Sequence, residues 1–196
     1  MKTLDQIGVS HGTDKSSTFH SYLSILETYF SPWRDRDLQL LEIGVAGGNS
    51  LRTWLEYFPE AEVVGLDHNP EYVKHKLGER GSARLADATH AETWEHLKAL
   101  CYQFDIIIDD GGHFSQQIMA AFNGGWPMLK SGGLYIIEDL HAPYANESDL
   151  SAPIWPWLEA KMHEMNECGR SQCGRPEVSD IAFLHLYKSL AIFGKR

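Results

Sequence analysis

The sequence predicts an α/β protein built on a doubly wound, seven-stranded sheet, mostly parallel and ending in an antiparallel C-terminal strand pair. Three observations predict it. Short apolar runs alternate with helix-period segments through most of the 196 residues, which is the pattern of βαβ units. The first five runs each end in a glycine turn or an acid, at Gly44, Asp67, Asp87, Asp109-Asp110 and Glu138-Asp139. The last stretch, 180–193, reads as two short strands around Tyr187-Lys188.

The elements follow in order. Phe19, Tyr22, Leu23, Leu26, Tyr29 and Phe30 recur at helical spacing. They predict a helix over 17–30, with Ser16 or Ser17 as its cap. Residues 38–43 form the first strand. Residues 50–58 form a helix with Leu51, Trp54, Leu55 and Phe58 on one face. Residues 62–66 are the second strand, 83–86 a weaker third, and 90–100 a helix. Residues 104–108 are the clearest strand, with isoleucine at 106, 107 and 108. Residues 115–129 read as a helix interrupted near Gly124-Gly125, and Lys130-Ser131-Gly132-Gly133 as a turn before a strand at 134–137. Residues 140–178 are irregular, with a helix near 157–164, and read as a lid or insertion. Tyr144, Trp155 and Trp157 mark that segment. The expected organisation is one domain over 1–196, opening with a helical segment at 1–35.

Composition narrows the function classes. The formal net charge is −10, so the overall field does not gather phosphates and nucleic acid is not an expected partner. No run approaches the roughly 20 apolar residues of a membrane span. The start, Met1-Lys2-Thr3-Leu4-Asp5, lacks the apolar run of a signal peptide, which predicts a cytoplasmic protein. The three cysteines, Cys101, Cys168 and Cys173, do not make a disulfide framework. Cys168 and Cys173 lack the ligand spacing of a zinc site and read as reduced thiols.

The turn after the first strand is Glu42-Ile43-Gly44-Val45-Ala46-Gly47-Gly48-Asn49-Ser50. Its glycines allow a tight strand-to-helix turn and close approach to a ligand. Asp67, at the end of the second strand, is placed to accept hydrogen bonds from ribose hydroxyls. The spacing is not the G-x-G-x-x-G of a dinucleotide site. Glu42, two residues before Gly44, would repel a phosphate and suits a cation such as the amino group of a methionine moiety. The cofactor expected is therefore S-adenosylmethionine.

This turn resembles the first motif of the class I methyltransferases, with Ala46 where the middle glycine stands. The resemblance implies a Rossmann-like fold and a cofactor site of Glu42, Gly44, Gly48, Ser50, Asp67, Asp87, Ala88 and Asp109. In it Asp67 takes the ribose diol and Asp87-Ala88 lie against the adenine. Ser50 sits beside the open amides of a helix start, where a carboxylate binds.

A second signature lies after the fourth and fifth strands: Asp109-Asp110-Gly111-Gly112-His113 and Glu138-Asp139-Leu140-His141. Acids on neighbouring strand ends, about 5 Å apart, repel unless a cation compensates. Oxygen ligands suit a hard ion, here Mg²⁺. His113, beside the cluster, is a candidate general base. His141 is the weaker candidate, for contact with a substrate.

This pair of motifs resembles the Mg²⁺-dependent sugar O-methyltransferases of macrolide and related pathways, and the cephalosporin-hydroxylase-like group. The resemblance implies that Asp110, Glu138 and Asp139 hold the metal and that His113 is the base. Gly12-Thr13-Asp14-Lys15 also resembles this group, with Thr13 and Lys15 either over the cofactor's methionine end or in a surface turn. The segment Ala142-Pro143-Tyr144-Ala145-Asn146 departs from its pattern, which leaves the acceptor open. The expected function is O-methylation of a hydroxylated small molecule or natural-product sugar. A homo-oligomer is compatible with the sequence. The competing readings are a metal-independent methyltransferase, a non-catalytic S-adenosylmethionine-binding protein and a nicotinamide oxidoreductase.

Overall fold

A computed structural model describes residues 1–145, 149, 154–167 and 179–196. Two compact units make up the chain, Met1–Asp87 and Ala88–Arg196. All seven strands join one mixed sheet, as the alternation of apolar runs predicts. Among the described residues no helix is long and apolar enough to cross a membrane.

The first unit holds α1 (Leu4–His11), α2 (Tyr22–Phe30), a 3₁₀ turn (Ser31–Trp33), β1 (Gln39–Ile43), α3 (Asn49–Tyr57), β2 (Glu62–Asp67) and β3 (Gly81–Leu85). Its strands pair in parallel in the order β3-β2-β1. β1 is buried from Leu40 to Ile43, as expected where both faces of a parallel strand are covered.

The N-terminal helix predicted over 17–30 is shorter and begins at Tyr22. A helix precedes it that hydrophobic period alone does not reveal. α1 is signalled instead by its ends. Thr3 and Gln6 form a capping box, the Thr-x-x-Gln form of that motif, and Gly12 closes the helix at φ 72°. Neither Ser16 nor Ser17 caps α2. The cap is Ser21, at φ 62° and without a side-chain bond. The Ser16 hydroxyl donates to the Thr13 carbonyl at 2.8 Å, and that of Ser17 donates to Asp5 Oδ2 at 2.7 Å. Phe19, predicted on the apolar face, lies in the turn before α2 and is 73% exposed.

The second unit holds α4 (Ala91–Ala99), β4 (Phe104–Asp109), α5 (Ser115–Gly125), a 3₁₀ turn (Trp126–Met128), β5 (Leu129–Ile137), α6 (Ala142–Ala145), α7 (Ile154–Glu167), β6 (Ile181–Tyr187) and β7 (Leu190–Lys195). Its strands lie in the order β4-β5-β7-β6. β4 and β5 are parallel, and β7 is antiparallel to both β5 and β6. β4 is buried along its whole length.

Two glycine signals change meaning here. α5 runs through Gly124 and ends at Gly125, rather than breaking there. A side chain at Gly124 would collide with the Trp94 indole, so the glycine admits a neighbouring ring. The predicted turn at 130–133 lies inside β5. It is an irregularity in the β4–β5 register, with Leu129 opposite Phe104 and Leu134 opposite Ile106, and Gly132 sits at φ 78°.

In the segment expected as a lid or insertion, α6, Asp149 and α7 are described. Residues 146–148, 150–153 and 168–178, including Cys168 and Cys173, lie outside the described residues. Trp157 packs edge-on against Phe122 at 5.0 Å. Tyr144 and Trp155 stack on each other at 5.5 Å.

Candidate active site

The first unit carries the glycine turn. Gly44 continues the sheet, its amide donating to the Leu66 carbonyl at 2.8 Å. The turn then needs left-handed backbone at Gly44 (φ 89°), Ala46 (φ 43°) and Gly48 (φ 71°). Ala46 therefore stands at a position that favours glycine, at a local cost of about 1–2 kcal/mol. His75 Nε2 donates to the Ala46 carbonyl at 2.8 Å, a partner that no sequence pattern marked.

Glu42 is fully buried. Its Oε2 accepts from the Ser50 hydroxyl at 2.7 Å and from Trp54 Nε1 at 3.2 Å. The Lys15 ammonium lies 3.6 Å from Oε1. Ser50, expected to meet a cofactor carboxylate, thus gives its hydroxyl to Glu42. The free amides at the start of α3 remain, because Gly48 provides no side-chain cap. Asp67 is buried, with Oδ2 accepting from the amides of Val45 at 2.9 Å and Ala46 at 3.3 Å. Its Oδ1 accepts from the Asn69 amide at 2.8 Å. Asp67 is therefore a bracket for the turn. Asp87, just past the end of β3, is half-buried.

The second unit carries the rest. Ala88 is buried, and its carbonyl accepts from Trp94 Nε1 at 2.9 Å. Asp109 ends β4. Its Oδ1 accepts from the Gly111 amide at 3.2 Å, and its Oδ2 makes no hydrogen bond among the described residues. Burial pushes its carboxyl up to about 7, the Gly111 amide opposes that, and the neighbouring Asp110 charge adds to it.

Asp110, His113 and Asp139 come together, with one ligand atom from each lying within 4.8 Å of the others. His113 Nε2 is 3.8 Å from Asp110 Oδ1 and 3.6 Å from Asp139 Oδ2. His141 Nδ1 is 3.8 Å from Asp139 Oδ1 on its other side. Glu138 is buried and is not a member of the close group. His113 (φ 58°) and Asp139 (φ 55°) are both left-handed. Such backbone costs about 1–3 kcal/mol at each residue and gathers at functional sites.

The Asp110 and Asp139 carboxylates fit a hard divalent ion, which takes oxygen donors, and their ligand atoms lie within 4.8 Å of each other.

One further contact fixes the start of α5. α5 begins at Ser115 with no cap from Phe114. Asp149 Oδ2 accepts from the Ser115 amide at 2.9 Å and from its hydroxyl at 3.1 Å. That cap lies 34 residues away in sequence, so no local motif signals it.

Residues 41–140 match the methyltransferase-domain family. The match spans half of the chain and includes the glycine turn and the acids at 109–110 and 138–139. The chain belongs to that family. This methyltransferase domain is 32% identical, over 97% of its length, to 8-demethyl-8-alpha-L-rhamnosyl tetracenomycin-C 2′-O-methyltransferase of Streptomyces olivaceus, and covers 54% of that protein. It is 28% identical, over 98% of its length, to demethylmacrocin O-methyltransferase of Streptomyces fradiae, and covers 53% of it. Among solved structures it is similar to MycE methyltransferase from the mycinamycin biosynthetic pathway in complex with Mg and S-adenosylhomocysteine. That match has a TM-score of 0.83 and 26% identity, over 99% of this chain and 55% of the other. The chain spans about half the length of the curated relatives it matches.

Proposed function

We propose that this methyltransferase domain catalyses Mg²⁺-dependent transfer of a methyl group from S-adenosylmethionine to a hydroxyl of a glycosylated natural product. The observation that carries the reading is the Asp110–His113–Asp139 group in a chain of this family. Relatives named for 2′-O-methylation of a rhamnosyl tetracenomycin and for methylation of demethylmacrocin support the acceptor class. MycE bound to Mg and S-adenosylhomocysteine supports the cofactors.

In this reading the first unit holds the cofactor. Asp67 offers its carboxylate to the ribose, the glycine turn approaches the ligand with little side chain in the way, and the open amides of α3 receive the methionine carboxylate. Asp87 completes the cofactor contacts of this unit. Asp110, Glu138 and Asp139 would hold the metal, which would supply Lewis-acid activation of the acceptor hydroxyl. His113 Nε2 accepts the hydroxyl proton, and the flanking carboxylates of Asp110 and Asp139 hold the resulting imidazolium.

The test is an incubation with S-adenosylmethionine, Mg²⁺ and mycinamicin VI or demethylmacrocin. The expected products are S-adenosylhomocysteine and a monomethylated acceptor, lost with EDTA and restored by Mg²⁺. Methylation that persists in EDTA would replace this reading with a metal-independent one. Cofactor binding without turnover on either glycoside would remove the acceptor class.

A further inference from the structure

Lys15 is 1% exposed, and lysine is almost never fully buried unless its charge is paired. Its partner is Glu42, with the ammonium 3.6 Å from Oε1. The residues around it are buried too, Thr13 at 4% and Ser16 at 0%. Thr13 Oγ1 accepts from the Lys15 amide at 3.4 Å, and the Lys15 carbonyl accepts from the Leu23 amide at 3.1 Å. Gly12-Thr13-Asp14-Lys15 is thus built into the unit and brings one ammonium to the acid that opens the glycine turn. An apolar side chain would fill the same space without desolvating an ion. Packing alone does not account for a lysine there.

Two hydrogen bonds to Glu42 come from α3, through Ser50 and Trp54. Glu42 is therefore held between Lys15 on one side and the first turns of α3 on the other. The bonds of Asp67 go to the amides of Val45, Ala46 and Asn69, and none involves Lys15. The two ends of the turn are braced separately.

We infer that Lys15 is a positioning residue for the amino-acid end of the cofactor. Through Glu42 it seats the start of α3, and so sets affinity for the methionine moiety while leaving the nucleoside contacts alone. The inference rests on the S-adenosylmethionine reading above.

Calorimetric titration with two ligands tests it: S-adenosylhomocysteine, and 5′-methylthioadenosine, which lacks the amino-acid end. Lys15→Met is expected to weaken S-adenosylhomocysteine roughly 10- to 100-fold, the range seen when a positioning partner is lost. It should leave 5′-methylthioadenosine within about 3-fold, a difference under about 0.7 kcal/mol. Lys15→Arg keeps the charge and should recover most of the lost affinity. If Lys15→Met does not fold, Lys15→Met/Glu42→Gln removes both charges together and should show the same selective loss. An equal fall for both ligands, or unchanged S-adenosylhomocysteine binding in the folded variants, would overturn the inference. Failure of the unmodified chain to bind S-adenosylhomocysteine would instead remove the cofactor reading itself, and this inference with it.

Discussion

The two units differ in how their charges are satisfied. In the first unit Glu42 and Asp67 are buried and bonded from within: Glu42 by Ser50 and Trp54, with the Lys15 ammonium 3.6 Å away, and Asp67 by the amides of Val45, Ala46 and Asn69. In the second unit Asp110, His113 and Asp139 are only partly buried, their pairs stand 3.6 to 3.8 Å apart, and two of the three sit on left-handed backbone. A carboxylate enclosed by donors fixes geometry. A histidine set between two partly exposed carboxylates remains open to solvent. The first unit's acids brace a turn, and the second unit's acids flank an imidazole.

Substitutions can break this contrast. The largest effect is expected in the second unit, on rate. His113→Ala should lower turnover about 10²- to 10⁴-fold, the range for loss of a general base. Its thermal midpoint should move by less than about 4 °C, equivalent to 1 kcal/mol for a chain of this size. A large loss of stability there would mean that the group is structural.

The converse holds for Glu42→Ala. Removing one partner of a buried pair leaves the other uncompensated, at about 3–5 kcal/mol. Urea denaturation should register that loss. A neutral outcome would show that Lys15 finds another partner.

Asp149→Ala removes a cap rather than a charge pair. About 1 kcal/mol of stability should go with it, within the usual 0.5–2 for lost caps. Turnover should fall as well, because α5 begins two residues after His113. Unchanged turnover would separate that helix start from the site.

Ala46→Gly has the smallest expected effect. It relieves the left-handed strain of about 1–2 kcal/mol but adds roughly 0.5–1 kcal/mol of backbone entropy to the unfolded chain. A net gain of under about 1 kcal/mol in denaturation experiments would show that the alanine is tolerated at a small cost.

Much of this was legible in residue order. The apolar runs at 38–43, 62–66 and 104–108 predict β1, β2 and β4 almost to the residue, because fully buried parallel strands need continuous apolar sequence. The acids that end these runs follow from the same logic, since the strand end is where the chain leaves the core. α1 carries its signal in Thr3, Gln6 and Gly12, a capping signature rather than a hydrophobic period.

What the sequence determined by itself was local: strand and helix placement, the glycine turn, and the set of acids and histidines available for chemistry. Period, capping and turn preference act over a few residues and are written there. Tertiary structure alone decided which donors each buried acid receives. Lys15 reaches Glu42 across 27 residues and Asp149 reaches Ser115 across 34. It also decided that Gly124 makes room for Trp94, and that His113 and Asp139 take left-handed backbone. These depend on desolvation and close packing, which arise only once distant segments share one interior.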